Sequence, residues 1–503
     1  MLLFNKNFMN QKNTDLLQKL SATAIVISLV AVIPLGCAKS YLDVDPQGQQ
    51  PSTQFFQSRE DALKAVNAMY ANLHEWNNIA FAPLAVESIT SDDAEKGSSP
   101  GDAEFFNNFD RFTLTSTEGQ VAGFWTGQYQ TINLANQVLD NVPAIAMDES
   151  LKNRLLAEAK FIRAYAYFRL NRAFGGVPLR LHVPKDPTEY NIPRNTQEEV
   201  YTAIEKDLTD AAAVLPPSYG AADVGRITKG AALALHAKVS MYQKKWTDVL
   251  TYTNQVMTLG YTLFPNYEQL FRIPNENNSE SIFEIQAKFI PGNCDASNSQ
   301  YSQVQGVRGS TGGGWGFNTP TQDLANAYET GDPRRDATII FRGETTPEGD
   351  VIPGTGDNPM YNQKSYVPFS LYVDCSEGAE QNVRVIRYAE VLLMNAEAAN
   401  ETGNTTLALS SLEAVRARAR QGNNAILPRV TTTDQAQLRT AIWRERRVEM
   451  AMESDRFFDL VRQGRAATVL ASKGFKTGKN ELMPIPQTEI DLSAGKLTQN
   501  PGY

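Results

Sequence analysis

Apolar residues recur every three or four positions through three long blocks of this chain, which is the spacing of one face of an α-helix. In the block 151–174, that face consists of Leu151, Leu155, Ala159, Ile162 and Ala166. An apolar stripe of this kind has to be covered by a neighbouring element, so the helices should pack against one another. The pattern predicts a mainly all-α fold.

The predicted helices come in pairs. Thr196 is followed three residues later by Glu199, a capping box that opens a helix ending before Pro216. The expected pairs are 151–174 with the helix after Thr196, 228–243 with 246–258, and 385–399 with 408–419. Ala-rich helix pairs resemble tetratricopeptide units, whose repeat is ~34 residues, although the spacing here is irregular.

Between about 262 and 384, the helical periodicity gives way to Gly, Asn, Pro and Ser. Only a short helix near Gln322 to Glu329 is expected there. A stretch this long without clear periodicity is uncommon unless it carries function, because binding residues concentrate on loops held by a rigid scaffold. We therefore expect a loop-rich insertion that forms the ligand face.

The composition excludes some classes of protein. The 503 residues, of which 42 % are hydrophobic, are enough for a large core, and the formal charge of -9 excludes a nucleic-acid partner. The cysteines, Cys37, Cys294 and Cys375, are too few for a disulfide framework. No two of them have the spacing of metal ligands.

The first 36 residues have the layout of an export signal. Lysines precede an apolar run from Ala22 to Leu35, which at about 14 residues is shorter than the ~20 that a transmembrane helix needs. The run ends in Gly36-Cys37, which resembles a bacterial lipoprotein box, although Pro34 stands where Leu is usual. We expect 1–36 to be a lipoprotein signal peptide and Cys37 to be lipidated, with an ordinary cleaved signal as the alternative.

The sequence contains no familiar catalytic motif. The histidines are isolated from one another, so an H-E-x-x-H zinc site is absent. A G-x-S-x-G elbow, a phosphate-binding G-x-x-x-x-G-K-[ST] loop and a dinucleotide-binding G-x-G-x-x-G pattern are absent as well. We expect no enzymatic activity, no cofactor and no metal site.

Two groups of charged residues were candidates for chemistry. Asp92-Asp93 could form a carboxylate pair for glycoside cleavage, but a solvated turn or a helix cap is the simpler interpretation. A second group has opposite charges three residues apart and indicates a structural ion network. Its expected pairs are Arg446 with Glu449, Glu453 with Arg456, and Asp459 with Arg462.

Several segments together resemble one protein family. They are ERRVE at 445–449, ESDRFFDLVR at 453–462, LMPIP at 482–486, TQNPGY at 498–503, YLD at 41–43, SDDA at 91–94, EAKFIRAY at 158–165, FGGVP at 174–178 and GDPR at 331–334. Taken along the chain, they are similar to the segments of the SusD/RagB family, outer-membrane nutrient-binding lipoproteins of Bacteroidetes. The resemblance covers nearly the whole chain after Cys37.

The resemblance implies a single helical domain at 58–503, joined to the lipid anchor by a tether at 37–57. It further implies a cell-surface lipoprotein that captures an oligosaccharide or polysaccharide and delivers it to a SusC-type TonB-dependent transporter. The protein would face outward from the outer membrane. The residues alone could not have named a sugar.

A sugar ring has an apolar face and a rim of hydroxyls, so its sites combine aromatic rings with amide, carboxylate or guanidinium groups. Trp76 and Asn77 follow the first predicted helix in a polar stretch, where a stacking platform and simple loop packing are both open. Trp315 lies among glycines that would let a ligand approach, but a framework role is equally open. Tyr301 and Tyr361 complete the candidate ligand-binding residues.

The remaining tryptophans, Trp125, Trp246 and Trp443, lie in helical surroundings and are expected to be structural. The leading hypothesis is therefore a glycan-binding lipoprotein. The alternative is a tetratricopeptide-type protein-interaction scaffold at the outer membrane, because such surfaces commonly bind polypeptide. A solvent-exposed Trp in a cleft would favour the glycan.

Overall fold

The computed structural model describes residues 55–290, 300–309, 313–371 and 379–503. The predicted signal peptide of residues 1–36, the lipidation of Cys37 and most of the 37–57 tether lie outside this part of the chain. Residues Ser58–Tyr503 form one unit. Within the described ranges, no helix combines the length and the apolar character that crossing a membrane requires.

The N-terminal half is a series of helices, several of which begin at a capping side chain. Ser58 forms a capping box with Asp61, and Thr196 forms the predicted one with Glu199. The helices are α1 Arg59–Leu73, α2 Trp76–Ile79, α3 Phe81–Pro83, α4 Phe106–Asp110, α5 Gly119–Asn141, α6 Glu149–Phe174, α7 Gln197–Val214, α8 Lys229–Tyr242 and α9 Trp246–Met257. A π-helical segment, Leu84–Ile89, follows α3.

The insertion consists of short elements joined by loops. The strands, including one that precedes the insertion, are β1 Ala94–Gly97, β2 Ser281–Ile285, β3 Phe317–Pro320, β4 Ile339–Phe341, β5 Met360–Asn362 and β6 Val383–Arg387. They pair as the antiparallel ribbons β1–β3, β2–β6 and β4–β5, with Gly97 opposite Phe317 in the first. The short helices are α10 Gln300–Gln305, α11 Gln322–Ala327 and α12 Arg334–Thr338. Of these elements, α11 was predicted.

The C-terminal part returns to regular helices. They are α13 Tyr388–Glu401, α14 Thr405–Arg420, α15 Gln435–Met450, α16 Arg456–Arg462, α17 Ala466–Val469 and α18 Gln487–Leu492. The predicted pairs are confirmed, because α6 packs on α7, α8 on α9 and α13 on α14. Leu392, Ala396 and Leu412 form part of the core of the last pair, as their spacing predicted. The mainly all-α prediction is therefore confirmed.

The charged run of α15 and α16 is buried, but most of its pairs differ from the predicted ones. Asp459 and Arg462 are paired as expected, with Oδ1 2.7 Å from Nε. Arg446 instead binds Glu390 of α13 at 2.9 Å and Asp459 at 2.7 Å. Glu449 binds Arg334, Arg387 and Arg418, Glu453 binds Lys364 and Arg387, and Arg456 binds Asp92. A buried charge has to be balanced by every element packed around it, so partners on distant segments replaced the local ones.

The interpretation of Asp92-Asp93 as a solvated turn or cap was wrong. Both side chains are buried. The two Asp92 oxygens each lie 2.7 Å from a nitrogen of Arg456, and Asp93 Oδ1 lies 2.8 Å from Nε of Arg447. Burial would raise the pKa of Asp92, but Arg456 and Arg447 outweigh it and lower that pKa. The pair is therefore a structural anchor between the N-terminal half and α15 and α16.

Candidate functional site

A group of aromatic rings lies where β1 and β3 meet α2, and we call it the aromatic platform. Its members are Trp76, Phe81, Phe105, Phe106, Trp315 and Phe317. The Trp76 ring centroid is 4.9 Å from that of Phe81 and 6.0 Å from that of Trp315. Phe106 and Phe317 are buried, whereas Trp76, Phe81 and Trp315 are half-buried and Phe105 is 37 % exposed. The platform therefore has a dry base and outer rings that reach solvent.

A close contact between α2 and α5 positions Trp76. A Cβ added at Gly123 would lie 2.9 Å from Oδ1 of Asn77, and one added at Gly127 would lie 3.0 Å from the Asn77 carbonyl oxygen. Both glycines are needed for α2 to pack this closely. The Asn77 side chain therefore packs on α5, and it is not placed at the edge of the platform.

A buried amide next to Trp76 and Asn77 fixes α2 further. Asn78 accepts a hydrogen bond from Gln128 at 2.8 Å and donates to the Asn72 carbonyl at 2.6 Å. Its own carbonyl accepts from Arg169 at 3.1 Å. The short α2 is thus held by α1, α5 and α6 together, which gives Trp76 a rigid base.

Backbone contacts position Trp315 in front of β3. Its N–H donates to the Gln303 carbonyl at 2.9 Å. The next residue, Gly316, has a φ of 73°, and a Cβ there would lie 2.7 Å from Nδ2 of Asn358. A side chain at this position would meet both strain and a clash, so the turn requires glycine. Held in this way, the Trp315 ring lies against that of Trp76.

Charged and hydroxyl groups line the edge of the platform beside Trp315. Arg308 Nη1 donates to Ser98 Oγ at 2.7 Å, to Asp102 Oδ2 at 2.9 Å and to the Trp315 carbonyl at 3.1 Å. The Arg308 and Asp102 side chains are each 40 % exposed. Nearby, burial lowers the pKa of Lys96, although Asp102 opposes that shift. Sequence reasoning missed Arg308, Asp102 and Phe105, because no local pattern links them to Trp76.

Tyr301 and Tyr361 lie in other surroundings. Tyr301 lines a cavity of about 80 Å³ together with Asn78 and Ile79, and burial raises the pKa of its hydroxyl to about 12. Tyr361 is 4 % exposed and packs with Val307 and Ile340 in a small core. The structure thus brings Trp76 and Trp315 together, while Tyr301 faces an internal cavity and Tyr361 lies in the interior.

The other tryptophans have the packing of structural residues. Trp125 is buried on α5 against Phe174, with ring centroids 5.1 Å apart. Trp443 Nε1 donates to Glu397 at 2.8 Å. In the part of the chain that the structure describes, no group of three or more His, Cys, Asp or Glu side chains could hold a metal ion. The fold and the platform therefore define a helical binding protein.

Comparisons with known proteins show which family of binding proteins this chain resembles. Residues 40–241 match the family described as "Starch-binding associating with outer membrane", and residues 279–503 match the SusD family. SusD-like protein P2 of Formosa agariphila is 28 % identical and covers 97 % of this chain and 100 % of its own. A laminarin binding SusD-like protein of known structure is 32 % identical, with a TM-score of 0.78, over 89 % of this chain and 100 % of its own. Surface glycan-binding protein A from Bacteroides fluxus is 26 % identical, with a TM-score of 0.75, over 89 % of this chain and 100 % of its own.

The chain therefore belongs to the SusD family. The resemblance predicted from the short motifs is confirmed over both halves of the chain. Proteins of this family bind carbohydrate without catalysing a reaction, so the protein is not an enzyme. The family description also places it in association with the outer membrane.

Proposed function

We propose that the protein is a cell-surface lipoprotein that binds an oligosaccharide on the aromatic platform and delivers it to a SusC-type TonB-dependent transporter. The observation that carries the proposal is the pair of half-buried tryptophans, Trp76 and Trp315, with ring planes 53° apart. The two rings are in contact and each is partly exposed, and exposed aromatic faces suit the apolar face of a sugar ring. Trp76 is held by α2 and Trp315 by the backbone contacts in front of β3, so little ordering is needed on binding.

The edge of the platform supports the same ligand class. Arg308 offers guanidinium N–H donors, while Asp102 offers carboxylate acceptors, and both side chains reach solvent. Such groups pair with the hydroxyls on the rim of a sugar. Aromatic faces beside exposed polar groups favour a glycan over the polypeptide that a tetratricopeptide-type scaffold would bind.

A glucan is the first ligand class to test. The structural relative that is 32 % identical is a laminarin binding protein, and the N-terminal family model is described as starch-binding. Laminarihexaose and maltohexaose therefore serve as the two soluble probes. We favour the laminarin type, because the match to that relative covers 89 % of this chain.

The anchor and the partner belong to the same proposal and are supported by the sequence. Cys37 follows an apolar export signal, so the mature chain would begin at a lipidated cysteine. A tether of residues 37–57 would then hold the helical domain, 58–503, at the outward face of the outer membrane. From there it could pass the glycan to the transporter.

The platform is tested by removing its tryptophans. Trp76→Ala and Trp315→Ala should each weaken binding by about tenfold, because one aromatic contact is worth ~0.5 to 1.5 kcal/mol beyond area burial and 1.4 kcal/mol is a factor of ten. Calorimetric titration with laminarihexaose and maltohexaose measures the affinity. Trp246→Ala, which removes a half-buried tryptophan on α9, is the matched control and should keep wild-type affinity. Wild-type affinity in the Trp76/Trp315 double variant would refute the platform as the site.

A further inference from the structure

A second cleft lies away from the platform, between α5, the segment 178–192 that follows α6, and α18. It has a volume of about 300 Å³, at the lower end of the range for small-molecule sites. Trp125 and Tyr129 of α5 form one side, and Tyr190 and Glu489 come from the other two segments. None of its lining residues belongs to the aromatic platform.

The two sites lie on opposite faces of one helix. Gly123 and Gly127 contact α2 beneath the platform, whereas Trp125, Tyr129 and Asn133 line the cleft. The two sets are offset by two residues, which corresponds to about 200° around an α-helix. A molecule bound in the cleft is therefore separated from one bound on the platform by the full width of α5.

Polar side chains, most of them open to solvent, line the cleft. Gln130, Asn133, Asn191 and Glu489 line it, and among the described residues no hydrogen bond is formed by their amide or carboxylate groups. The indole N–H of Trp125 likewise has no acceptor in the described chain. Amides and a carboxylate in one small cleft offer both donors and acceptors, which is the combination that vicinal hydroxyl groups require.

An exposed aromatic ring stands beside these groups. Tyr190 is 54 % exposed, and within the described ranges its ring contacts no other aromatic ring and its hydroxyl forms no hydrogen bond. Tyr129 is half-buried on α5 and packs on the buried Trp125, with ring centroids 5.0 Å apart, so its ring is fixed in place. The cleft thus pairs an exposed aromatic face with polar groups that are open to solvent.

The segment that carries Tyr190 is held in place before any ligand arrives. Arg180 donates to the Glu189 carbonyl at 3.0 Å and also to the Tyr190 carbonyl. The Arg180 carbonyl in turn accepts from Tyr167 at 2.9 Å and from Asn136 at 2.9 Å. Because the Arg180 guanidinium is engaged by these carbonyls, the cleft is better suited to a neutral ligand than to an anion.

We propose that this cleft is a second saccharide-binding site, which takes roughly one or two hexose units of a neutral glycan. The proposal rests on the proposed function for the class of its ligand, but not for its location or its residues. A glycan chain held at two places on one protein dissociates more slowly than one held at a single place.

The experiment compares the wild-type protein, a platform variant and a variant that combines platform and cleft substitutions. Laminarihexaose and maltohexaose are the probes for saturation-transfer NMR, and gels that contain laminarin or starch measure retardation. The platform variant is Trp76→Ala/Trp315→Ala, and the cleft substitutions Gln130→Ala/Tyr190→Ala are added to it. Both side chains are exposed and form no hydrogen bond within the described part of the chain, so the fold should persist, and a thermal melt checks this. Val351→Ala, which truncates a side chain that is 70 % exposed on another loop, is the control.

We expect the platform variant to keep weak binding, and the added cleft substitutions to reduce that binding by about threefold to tenfold. Loss of all binding in the platform variant would overturn the second site and leave the proposed function intact. Residual binding that the cleft substitutions do not change would also overturn it. Binding that depends on the cleft alone would support this site and refute the platform, and a wild-type protein that binds neither probe would overturn both proposals.

Discussion

Glu449 is a fully buried carboxylate shared by three arginines. Its Oε1 lies 2.6 Å from Arg387 and also binds Arg418, and its Oε2 lies 3.0 Å from Arg334. Burial raises the pKa of Glu449, but the three guanidinium groups outweigh burial and hold the pKa well below its usual range. Removing one member of such a cluster should destabilise the fold, because the charge of its partner would remain uncompensated in the interior.

The same reasoning applies to Arg447 and gives the first stability prediction. Arg447 lies 2.8 Å from Asp93 and 3.0 Å from Asp92. Arg447→Ala should lower the free energy of unfolding by about 3 kcal/mol, since Asp93 would remain buried without its nearest cation. Thermal and urea denaturation measure the loss, and glycan affinity per folded molecule should stay unchanged.

A double-mutant cycle separates the unpaired charge from lost packing. Asp93→Asn in the Arg447→Ala background removes the stranded charge, so the double variant should be more stable than Arg447→Ala alone. If Arg447→Ala left the melting temperature unchanged but abolished binding, Arg447 would belong to a ligand site instead of the ion network.

We expect the burial of His236 to make the folded protein less stable in acid. It is buried and stacked on Tyr252 with ring centroids 3.9 Å apart, and burial lowers its pKa to about 4. Glu205 and Asp248 oppose this shift, and Lys245 adds to it. In the unfolded chain His236 takes up a proton near pH 6.5, whereas in the folded protein it does so near pH 4. The contribution of the neutral, buried ring to the free energy of unfolding is therefore complete above pH 6.5. It is lost as the pH falls towards 4, by about 3 kcal/mol at most. His236→Gln should flatten the dependence of unfolding free energy on pH between pH 6.5 and 4. If the variant and the wild type lost stability equally over this range, His236 would not be the cause.

Among the secondary-structure elements, α5 has the widest role. One face carries the glycines against which α2 packs, and the opposite face lines the second cleft. Its position is fixed by packing against α1 and α6. A small change on one face of α5 can therefore be used to test the platform without touching a platform ring.

Gly127→Ala should disturb the platform from below. The new Cβ would lie 2.9 Å from Asn78 Oδ1 and 3.0 Å from the Asn77 backbone oxygen, so α2 would have to move. We expect a loss of stability of about 1 to 3 kcal/mol and weaker glycan binding, because Trp76 moves with α2. Gly119→Ala on the same helix meets nothing within 4 Å and should be neutral or stabilising. Equal stability and affinity in the two variants would show that α2 does not depend on this contact.

The elements that could be predicted from the sequence are those whose pattern is local. The bounds of α6, α7, α8 and α9 follow from apolar spacing and caps within each segment. The strands could not be predicted in this way, because β1 and β3 have four residues each and acquire their order from pairing far along the chain. The ion pairs of Arg446 and Glu449 escaped prediction for the same reason.

At the scale of the whole molecule, part of the candidate site could be predicted from the sequence. Trp76 and Trp315 were chosen separately for their polar or glycine-rich surroundings, and the structure places them side by side. Arg308 and Phe105 were missed because tertiary contacts alone bring them to the platform. Tyr361 was chosen for its surroundings in sequence, but its burial depends on a core that the sequence does not reveal.

The membrane anchor is also a property of the whole molecule. Cys37→Ala should leave the protein exported but soluble, because we propose acyl chains at Cys37 as its membrane attachment, at about 0.8 kcal/mol per buried methylene. Fractionation of a strain that lacks the partner transporter tests this, and Cys294→Ala should remain with the membrane as the matched control. Cys37→Ala protein retained by washed membranes of that strain would contradict the lipid anchor.

The ion pair between Asp92 and Arg456 also constrains when the protein can reach its final form. The two residues are 364 positions apart. A ribosome that adds ~5–20 residues per second needs roughly 20 to 70 s to reach the second after the first. During that time, Asp92 lacks this partner. A product that stops before α15 would lack both Arg447 and Arg456 and keep this carboxylate unpaired, so premature termination there should yield a chain that proteases remove.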